Sequence, residues 1–366
     1  MNKDFHFEGT YCAARIAGFQ HDDAEKIAWA AQMVDDCTED LLKQTGISGV
    51  YQNTVITCET FGDSIMDDIK YGEYSPKTNA ALQKIRSIWM PFHFLPGNFS
   101  PNHRQIYAGE QQWKGFSFDD DIDGNDFQCL CLHNSDLARE MIDDTISCYA
   151  VPPGQYTPDL LLYLIGIRMH VLADTWAHEF FIGTPNYWIN DISGLKVENP
   201  DVAEYGKIRT FPNVTFHSMS YHGHGRIGHL PDLGYLSYQY IPRWLGSPVI
   251  KNNTVIFARA FCQMVDALRA IQTNQPFRQR EYCTDTEIRS CLGPYCDTVC
   301  DLLSRKKTDA DENDWSSLIR LFPAASLPVY DASNTVSQKM LLFQTAACRH
   351  RDMVCSRLHG SSIAGF

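Results

Sequence analysis

Three polar residues in the segment 168–178 have the types and the spacing of metal ligands. His170, Asp174 and His178 are each four residues apart. On a helix, successive members are displaced by about 40° and ~6 Å, so all three share one face. A carboxylate between two imidazoles suits a centre with more than one metal ion, because each carboxylate oxygen can bind a different cation. The alternative is a hydrogen-bonded His/Asp/His network that packs helices together.

A second set of candidate ligands lies in a glycine-rich segment further along the chain. The set consists of His222, His224, His229 and Asp232. Glycines allow the backbone to approach a site closely and turn sharply, while the side chains supply nitrogen and oxygen donors. We expect His229 and Asp232 to be the ligands, because Pro231 fixes the chain between them. His224 is the alternative to His229, and an ordinary exposed Gly/His turn is the alternative to a metal site.

Further candidates come from the first hundred residues. Asp4 and His6 alternate with aromatic residues, so in an extended segment both would face the same direction. Asp35 and Asp36 end a predicted helix, where the helix dipole favours cations, and a metal ion nearby would compensate two acids there. They are also the candidate catalytic groups. His93 lies among apolar and turn residues, where a buried imidazole needs a partner or a metal ion.

A mostly helical chain is predicted to position these residues. Hydrophobic periodicity and capping residues indicate helices over 22–36, 158–182, 253–272, 285–305 and 335–357. The central helix has Thr157 as its N-cap and Pro158 at its first position, and it ends before Gly183, which gives about 25 residues. The segment 184–250 is predicted to be a long functional loop that forms one wall of a cleft. A short strand or hairpin arm is predicted within 50–60.

Length and composition allow a large hydrophobic core. The chain has 366 residues, of which 44% are hydrophobic and 20% charged. We expect a metal-binding, helical catalytic domain over 1–250 and a helical C-terminal region over 251–366, packed on the same core. The start of the sequence lacks a basic and apolar leader, and no uninterrupted apolar run of 18 residues follows. This predicts no transmembrane segment and a cytoplasmic location, or export without a classical signal peptide.

Charge and cysteine content narrow the function classes. The formal net charge is −13, from 44 acidic and 31 basic residues, which disfavours long nucleic acid while a local metal cluster still attracts phosphate. The 13 cysteines are an odd number, and without an export signal most are expected to be reduced, buried thiols. Four of them cluster in sequence, namely Cys283, Cys291, Cys296 and Cys300. Their spacing matches no zinc finger.

The candidate ligands, taken in order, resemble those of a known superfamily. The matching motifs are Asp4/His6, an acid near residue 35, His93, His170-x3-Asp174, His178 and His229-x2-Asp232. This order is similar to that of the zinc-dependent phospholipases C and single-strand-specific zinc nucleases. The similarity is greatest to a bacterial branch that carries Ala-Asp-Thr-Trp-Ala-His and Gly-His-Gly-x-x-Gly-His-x-Pro-Asp. The matching motifs cover short pieces of residues 1–233.

The resemblance implies an all-α, mainly helical fold with long loops, a helical C-terminal extension, and two or three zinc ions in a cleft. By this resemblance, one ion is bound by Asp174, His170, His93 and Asp35 or Asp36, a second by His178, His229 and Asp232, and a third by Asp4, His6 and Asp174. In the characterised enzymes a processed N-terminal amine also binds metal. Here the carboxylate of Asp4 is expected to take its place.

The implied reaction is hydrolysis of a phosphodiester by metal-activated water. The expected substrate is a small or lipid phosphodiester, with transient contact to a membrane surface, and single-strand nuclease activity is the alternative. Aromatic residues of the predicted loop wall are candidates to hold the substrate, namely Tyr221, Tyr235, Tyr238, Tyr240 and Trp244. A non-catalytic binding module with a closed, structural metal site is a different class. A phosphohydrolase of the His-Asp type, which uses an adjacent His-Asp pair, ranks last.

Overall fold

The protein is mostly helical, with a three-stranded antiparallel sheet among the residues described. The computed structural model describes residues 1–38, 55–58, 76–99, 126–150, 157–197, 221–305, 314–324, 326–332 and 337–359. The prediction of a helix-dominated fold is confirmed. The strand predicted within 50–60 lies mostly outside the described residues, and the described part, residues 55–58, has no regular secondary structure.

The helices and strands follow one another along the chain. The helices are α1 (Thr10–Ala17), α2 (His21–Asp36), α3 (Pro76–Phe92), α4 (Asp136–Tyr149), α5 (Pro158–Ala177), α6 (Tyr187–Asn190), α7 (Asn253–Thr273), α8 (Asp285–Leu292), α9 (Cys296–Ser304), α10 (Ser316–Ile319) and α11 (Gln338–His359). The strands are β1 (Ile192–Val197), β2 (Ser237–Pro242) and β3 (Val249–Asn252). Short π or 3₁₀ turns occur at Phe5–Gly9, Asp126–Cys129, Gly225–Ile227, Leu230–Asp232 and Gly293–Tyr295.

Helix α5 is the centre of the molecule and is buried along almost its whole length. As predicted, Thr157 is its N-cap, with a side chain that accepts a hydrogen bond from the backbone N–H of Leu160, and Pro158 is its first residue. The helix has 20 residues and ends at Ala177, so the prediction of about 25 residues was too long. The reason lies beyond the helix, where the backbone of Phe180 and Phe181 pairs with Cys131 instead of continuing the helical pattern.

Three long helices, α2, α7 and α11, pack around α5. The contact with α2 is close enough to require glycine at position 166. A Cβ atom there would lie 2.2 Å from the carbonyl oxygen of Ile27 and 2.7 Å from the side chain of Ala30, distances that real side chains do not tolerate. This close contact brings the C-terminal end of α2, with its two acids, beside the polar face of α5.

The C-terminal part of the chain contributes to the same hydrophobic core. Buried side chains from the N-terminal turn to α11 form one continuous cluster, so apolar contacts cross the predicted boundary at residue 250, and the division into two regions stays a prediction. The helix predicted over 285–305 is two helices, α8 and α9. Gly293 has a positive φ of 56°, and Pro294 lacks a backbone N–H, so these two residues separate α8 from α9.

The segment predicted as a long loop contains the sheet, in the order β1-β2-β3. Strands β1 and β2 pair in antiparallel fashion, with Ile192 opposite Pro242 and an irregularity in register after Ser193. Strands β2 and β3 also pair in antiparallel fashion, with Ser237 opposite Asn252. Along β2, buried and half-buried residues alternate. The sheet and the described turns between β1 and β2 lie next to the C-terminal end of α5, where Asp232 contacts His178 and Lys251 contacts Glu179.

Candidate metal centre

Asp174 lies at the centre of a buried cluster of polar groups, and its side chain is only 1% exposed. Its Oδ1 lies 2.8 Å from the α-amine of Met1 and 3.2 Å from Nε2 of His6. Its Oδ2 lies 3.1 Å from Nε2 of His170 and 3.5 Å from Nδ1 of His93. One carboxylate is thus shared by groups from the N-terminal turn, from the end of α3 and from its own helix.

Several of these short contacts are not hydrogen bonds. Among the described residues, Oδ2 of Asp174 accepts no well-formed hydrogen bond, and neither ring nitrogen of His6 has one. Buried polar atoms of this kind are costly unless another partner satisfies them. Two ligands of a tetrahedral zinc ion, each at about 2.0–2.1 Å from it, lie roughly 3.3 Å apart. The spacing of the imidazole nitrogens around Asp174 fits such a shared ion.

Three groups of side chains have ligand atoms within 4.8 Å of one another and could each hold a metal ion. The groups are His6, Asp35 and His170; His93, His170 and Asp174; and His178, His224 and Asp232. The first two share a histidine, so they are contiguous. The second group is buried throughout, whereas Asp35 and His224 are partly exposed.

The N-terminal turn and α2 complete the first group. His6 lies in the π turn Phe5–Gly9 and stacks on His170, with ring centroids 3.8 Å apart and planes at 20°. Asp35 lies in the last turn of α2, where its Oδ1 is 3.8 Å from both Nδ1 of His93 and Nε2 of His170. The side chain of Asp35 is 32% exposed. The first group is therefore buried on one side and open on the side of this carboxylate.

Backbone carbonyls fix the orientation of three imidazoles. A carbonyl oxygen can only accept, so the ring nitrogen that faces it must carry the proton. Nε2 of His93 donates to the carbonyl oxygen of Thr57 (2.9 Å), Nδ1 of His178 to that of His93 (2.8 Å), and Nδ1 of His224 to that of Gly228 (2.8 Å). Each neutral ring then turns a lone pair toward the cluster. Metal-ligating histidines are held in this way by their outer partners.

Asp232 brings the second wall to the end of α5. Its Oδ1 lies 3.4 Å from Nε2 of His178 and 3.3 Å from the amine of Met1. Its Oδ2 lies 3.9 Å from Nε2 of His224 and 3.0 Å from Nδ1 of His229. His229 is 88% exposed, whereas His224 is 17% exposed. The protected position beside Asp232 is therefore that of His224.

The glycine-rich turn packs directly on an aromatic ring. Gly223 has a φ of +52°, and a Cβ atom there would lie 2.3 Å from the ring of Phe94, so only glycine fits. The same ring stacks on His178, with centroids 4.7 Å apart and planes at 24°. This contact fixes His224, one residue further along, against the histidine at the end of α5.

The cluster strongly perturbs its ionisable groups. Burial raises the pKa of Asp174, but His178, the amine of Met1 and His170 together hold it well below its usual range. Burial and the neighbouring His170 lower the pKa of His6. Burial lowers the pKa of His93, but its contact with Asp174 outweighs this and the pKa rises to about 10. Without a metal ion, protons are thus held in the cluster, and metal binding would release them.

Two predicted site residues, Asp4 and Asp36, are hydrogen-bonded to side chains outside the three groups. Asp4 and His6 lie in a helical backbone, not an extended one, so they point to different sides because two residues span about 200° of a helix. The carboxylate of Asp4 accepts a hydrogen bond of 3.1 Å from Nε1 of Trp315. Asp36 accepts hydrogen bonds from the hydroxyl of Tyr330 and, at 3.3 Å, from Gln32. Neither acid belongs to the three groups.

The other predicted ligands come together. His6, Asp35, His93, His170, Asp174, His178 and Asp232 all belong to one of the three groups. His224 takes the place expected for His229. The α-amine of Met1 lies 2.8 Å from Asp174, where the carboxylate of Asp4 was expected, although the resemblance had pointed to an N-terminal amine. Metal binding by these residues stays a prediction.

Candidates outside the cluster do not form a comparable group within the described part of the chain. The cysteines are free thiols, and although Sγ of Cys296 and Sγ of Cys300 are 4.0 Å apart, no cysteine belongs to the three groups. The adjacent His-Asp pair of this chain is His21-Asp22, at the start of α2. His21 is hydrogen-bonded at Nδ1 to the hydroxyl of Tyr11 (2.8 Å), and neither residue belongs to those groups.

The predicted aromatic wall is mostly part of the core. Tyr235, Tyr238, Tyr240 and Trp244 are buried, as packing residues are, and a role of these side chains in holding a substrate stays a prediction. Tyr221 is half-buried. Helix α5 is long and apolar enough to cross a membrane by length and composition, but 94% of that stretch is buried inside the protein, as in the core helix of a globular protein.

The chain belongs to a family whose model matches residues 1–358 and whose description is "Family of unknown function (DUF6765)". The match spans the central helix, the glycine-rich turn and the C-terminal helices, so the whole arrangement described above is that of a family member. Comparison with curated proteins and with solved structures gave no match.

Proposed function

We propose that this chain is a zinc-dependent phosphodiester hydrolase, similar in chemistry to the phospholipases C, with two or three zinc ions held around Asp174. The proposal rests chiefly on one observation. A single buried carboxylate is surrounded by imidazole nitrogens at 3.1–3.6 Å without well-formed hydrogen bonds to its Oδ2. This is the arrangement that a shared ligand of neighbouring metal ions requires.

The donor atoms favour zinc over other common ions. The three groups contain imidazole nitrogens and carboxylate oxygens and no thiolate. Magnesium and calcium prefer all-oxygen sites, whereas imidazole with carboxylate suits zinc. His93, His170 and Oδ2 of Asp174 would hold one ion, and His178, His224 and Asp232 a second. His6 and Asp35 would hold a third with Oδ1 of Asp174, which lies 3.2 Å from Nε2 of His6.

Bound zinc would lower the pKa of a coordinated water and neutralise the charge of a phosphate. The protein's contribution is to hold the ligands and to receive a proton. Asp35 is the best placed of the two candidate acids, because its carboxylate is 32% exposed at the edge of the cluster. Burial raises its pKa, and Asp174 raises it further, while His170 and His93 lower it. Asp36 is held by Tyr330 and Gln32, so we assign it a supporting role.

Partial exposure of two groups favours an enzyme over a structural metal site. A structural zinc site is closed by four protein ligands, whereas a catalytic one keeps a position for water or substrate. Each group contributes three side chains, and Asp35 and His224 border solvent. The net charge of −13 favours a small or lipid phosphodiester over a nucleic acid. Single-strand nuclease activity remains the second candidate, because the same metal chemistry cleaves both.

An assay with matched variants tests the proposal. Zinc-loaded protein is given phosphatidylcholine and single-stranded DNA, with Asp174→Asn as the blank and Asp35→Asn as the test of the catalytic acid. Asp159→Asn is the control, because this carboxylate starts the same helix but is 49% exposed. We expect faster turnover of the lipid, loss in both cluster variants and full activity in the control. Faster cleavage of DNA would overturn the substrate preference, and absence of turnover with bound zinc would favour a structural metal.

A further inference from the structure

Two arginines lie close to the glycine-rich turn and share one carboxylate. Asp191 contacts Nε of Arg226 through Oδ1 (3.0 Å) and Nη1 of Arg243 through Oδ2 (3.5 Å). Asp191 is 14% exposed, whereas the arginines are 25% and 30% exposed. Among the described residues, two guanidinium groups against one carboxylate leave one positive charge, in a protein of net charge −13. The net charge at this place is therefore positive, whereas the net charge of the whole chain is negative.

Aromatic rings hold both guanidinium groups in place. Arg243 lies over the rings of Tyr187 and Trp188, with distances of 4.4 and 4.5 Å to the ring centroids. Arg226 lies 5.6 Å from the ring centre of Tyr221. Cation–π contacts of this kind fix a guanidinium without using its N–H groups. The two side chains are therefore ordered before any ligand arrives.

Within the described part of the chain, most of the N–H donors of this pair have no hydrogen-bond partner. Nε of Arg243 is buried and, among the described residues, has no hydrogen-bond partner. Arg226 uses its Nε for Asp191, and in the described part of the chain its two Nη groups have no partner of their own. Unused, pre-oriented guanidinium donors are the groups that bind phosphate or carboxylate through paired hydrogen bonds.

Arg226 follows the candidate ligand His224 by two residues, so their backbones are within about 7 Å of each other. Arg243 is tied to the same place, because its backbone N–H donates to the carbonyl oxygen of Asp191 (2.9 Å). An anion between the arginines would thus lie next to the turn that carries His224, a candidate ligand of the second metal group. The side chains of Arg226 and Arg243 with Tyr187, Trp188 and Tyr221 are called the arginine platform below.

We propose that the arginine platform binds a second anionic group of the substrate, a phosphate or a carboxylate that neighbours the scissile phosphodiester. This inference rests on the proposed hydrolase function and narrows its substrate class. A phosphodiester with an additional anionic group is preferred over one without it. The additional group can belong to a nucleotide or to an acidic lipid head group, since the platform recognises the charge and the planar oxygen pair.

Two matched substrate pairs test the inference. The dinucleotides pTpT and TpT differ only by a terminal phosphate, and short-chain phosphatidylserine and phosphatidylethanolamine differ only by a carboxylate. We expect kcat/KM about tenfold higher for the more anionic member of at least one pair, and the pair that responds identifies the source. In Arg226→Gln and Arg243→Gln this ratio should fall towards one. Arg243→Lys, which keeps a positive charge over the rings, should retain part of the preference for the more anionic substrate.

A binding experiment separates this inference from the hydrolase proposal. Inorganic phosphate is titrated into the zinc-loaded protein by calorimetry, with Arg289→Gln as the control, because Arg289 pairs with Asp297 on an exposed surface. We expect about tenfold weaker phosphate binding in both platform variants and unchanged binding in the control. Arginine-dependent binding without hydrolysis would keep the anion site and remove the hydrolase function. Hydrolysis with the same substrate ratios in wild type and platform variants would overturn the anion site and keep the function.

Discussion

Asp174 lies in the last turn of α5 and Glu179 two residues beyond its end, and both carboxylates have several polar neighbours. Asp174 is 1% exposed and Glu179 15% exposed. Glu179 receives a 2.7 Å hydrogen bond from Lys251, and its other oxygen lies 2.7 Å from Nδ1 of His133. His133 also contacts Glu281 through Nε2 (3.1 Å). Two carboxylates, an ammonium and a protonated imidazole sum to zero charge. The charges of this network are balanced by its own side chains, although Nδ1 of His133 makes no well-formed hydrogen bond among the described residues.

The surroundings of Asp174 do not balance in this way. Asp35, Asp174 and Asp232 contribute three negative charges, and the α-amine of Met1 contributes one positive charge. The remaining neighbours are imidazoles, of which His93 is protonated at neutral pH because its pKa rises to about 10. One positive charge is then still missing, and an uncompensated negative charge in a buried site is costly. The comparison therefore separates an ionic network that is balanced by its own side chains from a cluster with uncompensated negative charge that could hold a metal ion, and the following predictions test that distinction.

The largest expected effect is that of Asp174→Ala. Removing the shared carboxylate eliminates a ligand and leaves buried imidazoles and two acids without their common partner. We expect a loss of about 3–5 kcal/mol in the free energy of unfolding of the zinc-loaded protein, measured by denaturant titration. His170→Ala should act in the same direction. Asp159→Ala, at the exposed start of the helix, is the control, and equal effects at both aspartates would refute the special role of position 174.

Breaking the other network should cost somewhat less and should not involve metal. Glu179→Gln leaves Lys251 buried with a neutral partner, and we expect a loss of about 2–3 kcal/mol. A chelator should then lower the stability of this variant by as much as it lowers that of the wild type, because the Asp174 cluster is intact. Thermal unfolding of both proteins with and without chelator measures the loss of stability from the substitution and the loss caused by metal removal. A chelator effect that disappears in Glu179→Gln would show that the two regions are coupled.

The pH dependence of the Glu179 network depends on His133. Burial lowers the pKa of His133, but Glu179 outweighs this and raises it from 6.5 to about 9. A raised histidine pKa stabilises the folded state fully below pH 6.5, and this stabilisation is lost as the pH rises towards 9. We expect a loss of about 1–3 kcal/mol over that range. The test compares unfolding at pH 6 and pH 9, and the difference should be smaller in His133→Gln; an equal slope in that variant would contradict the assignment.

The smallest expected effect is that of His229→Ala, which tests whether His229 or His224 is the metal ligand. His229 is 88% exposed, so His229→Ala should change stability by less than about 0.5 kcal/mol and leave the metal content unchanged. His224→Ala should lose about one ion, because its ring is held against Gly228 and faces Asp232. Metal content of the two variants, measured side by side, decides between them. Loss of metal in His229→Ala alone would restore the choice that the sequence favoured.

The sequence predicted most of the central arrangement, because helical spacing is a local property. His170, Asp174 and His178 lie on one face as the four-residue spacing requires, and the helix starts at Thr157 and Pro158 as capping preferences dictate. The end of the helix was misplaced because it is set by a tertiary contact, the pairing of residues 180 and 181 with Cys131. Long-range backbone pairing of this kind leaves no local signal.

Other parts of the site depended on three-dimensional packing that the pattern does not encode. Asp4 was expected to face the site, but the π turn directs it to Trp315. The choice of His229 over His224 was based on Pro231, whereas the contact of Gly223 with Phe94 decides which imidazole is buried. The alternation of Tyr238 and Tyr240 in β2 was a usable signal for a strand with a buried face. It predicts core packing and not substrate binding.

The most direct test of the metal-centre account is the zinc content of purified wild-type protein and of Asp174→Ala, measured by elemental analysis in the same preparation. The account predicts more than one equivalent of zinc per chain in the wild type and a loss of most of it in the variant, since Asp174 is the ligand that the ions share. Unchanged metal content in Asp174→Ala, or wild-type protein that binds no zinc when it is supplied, would contradict it.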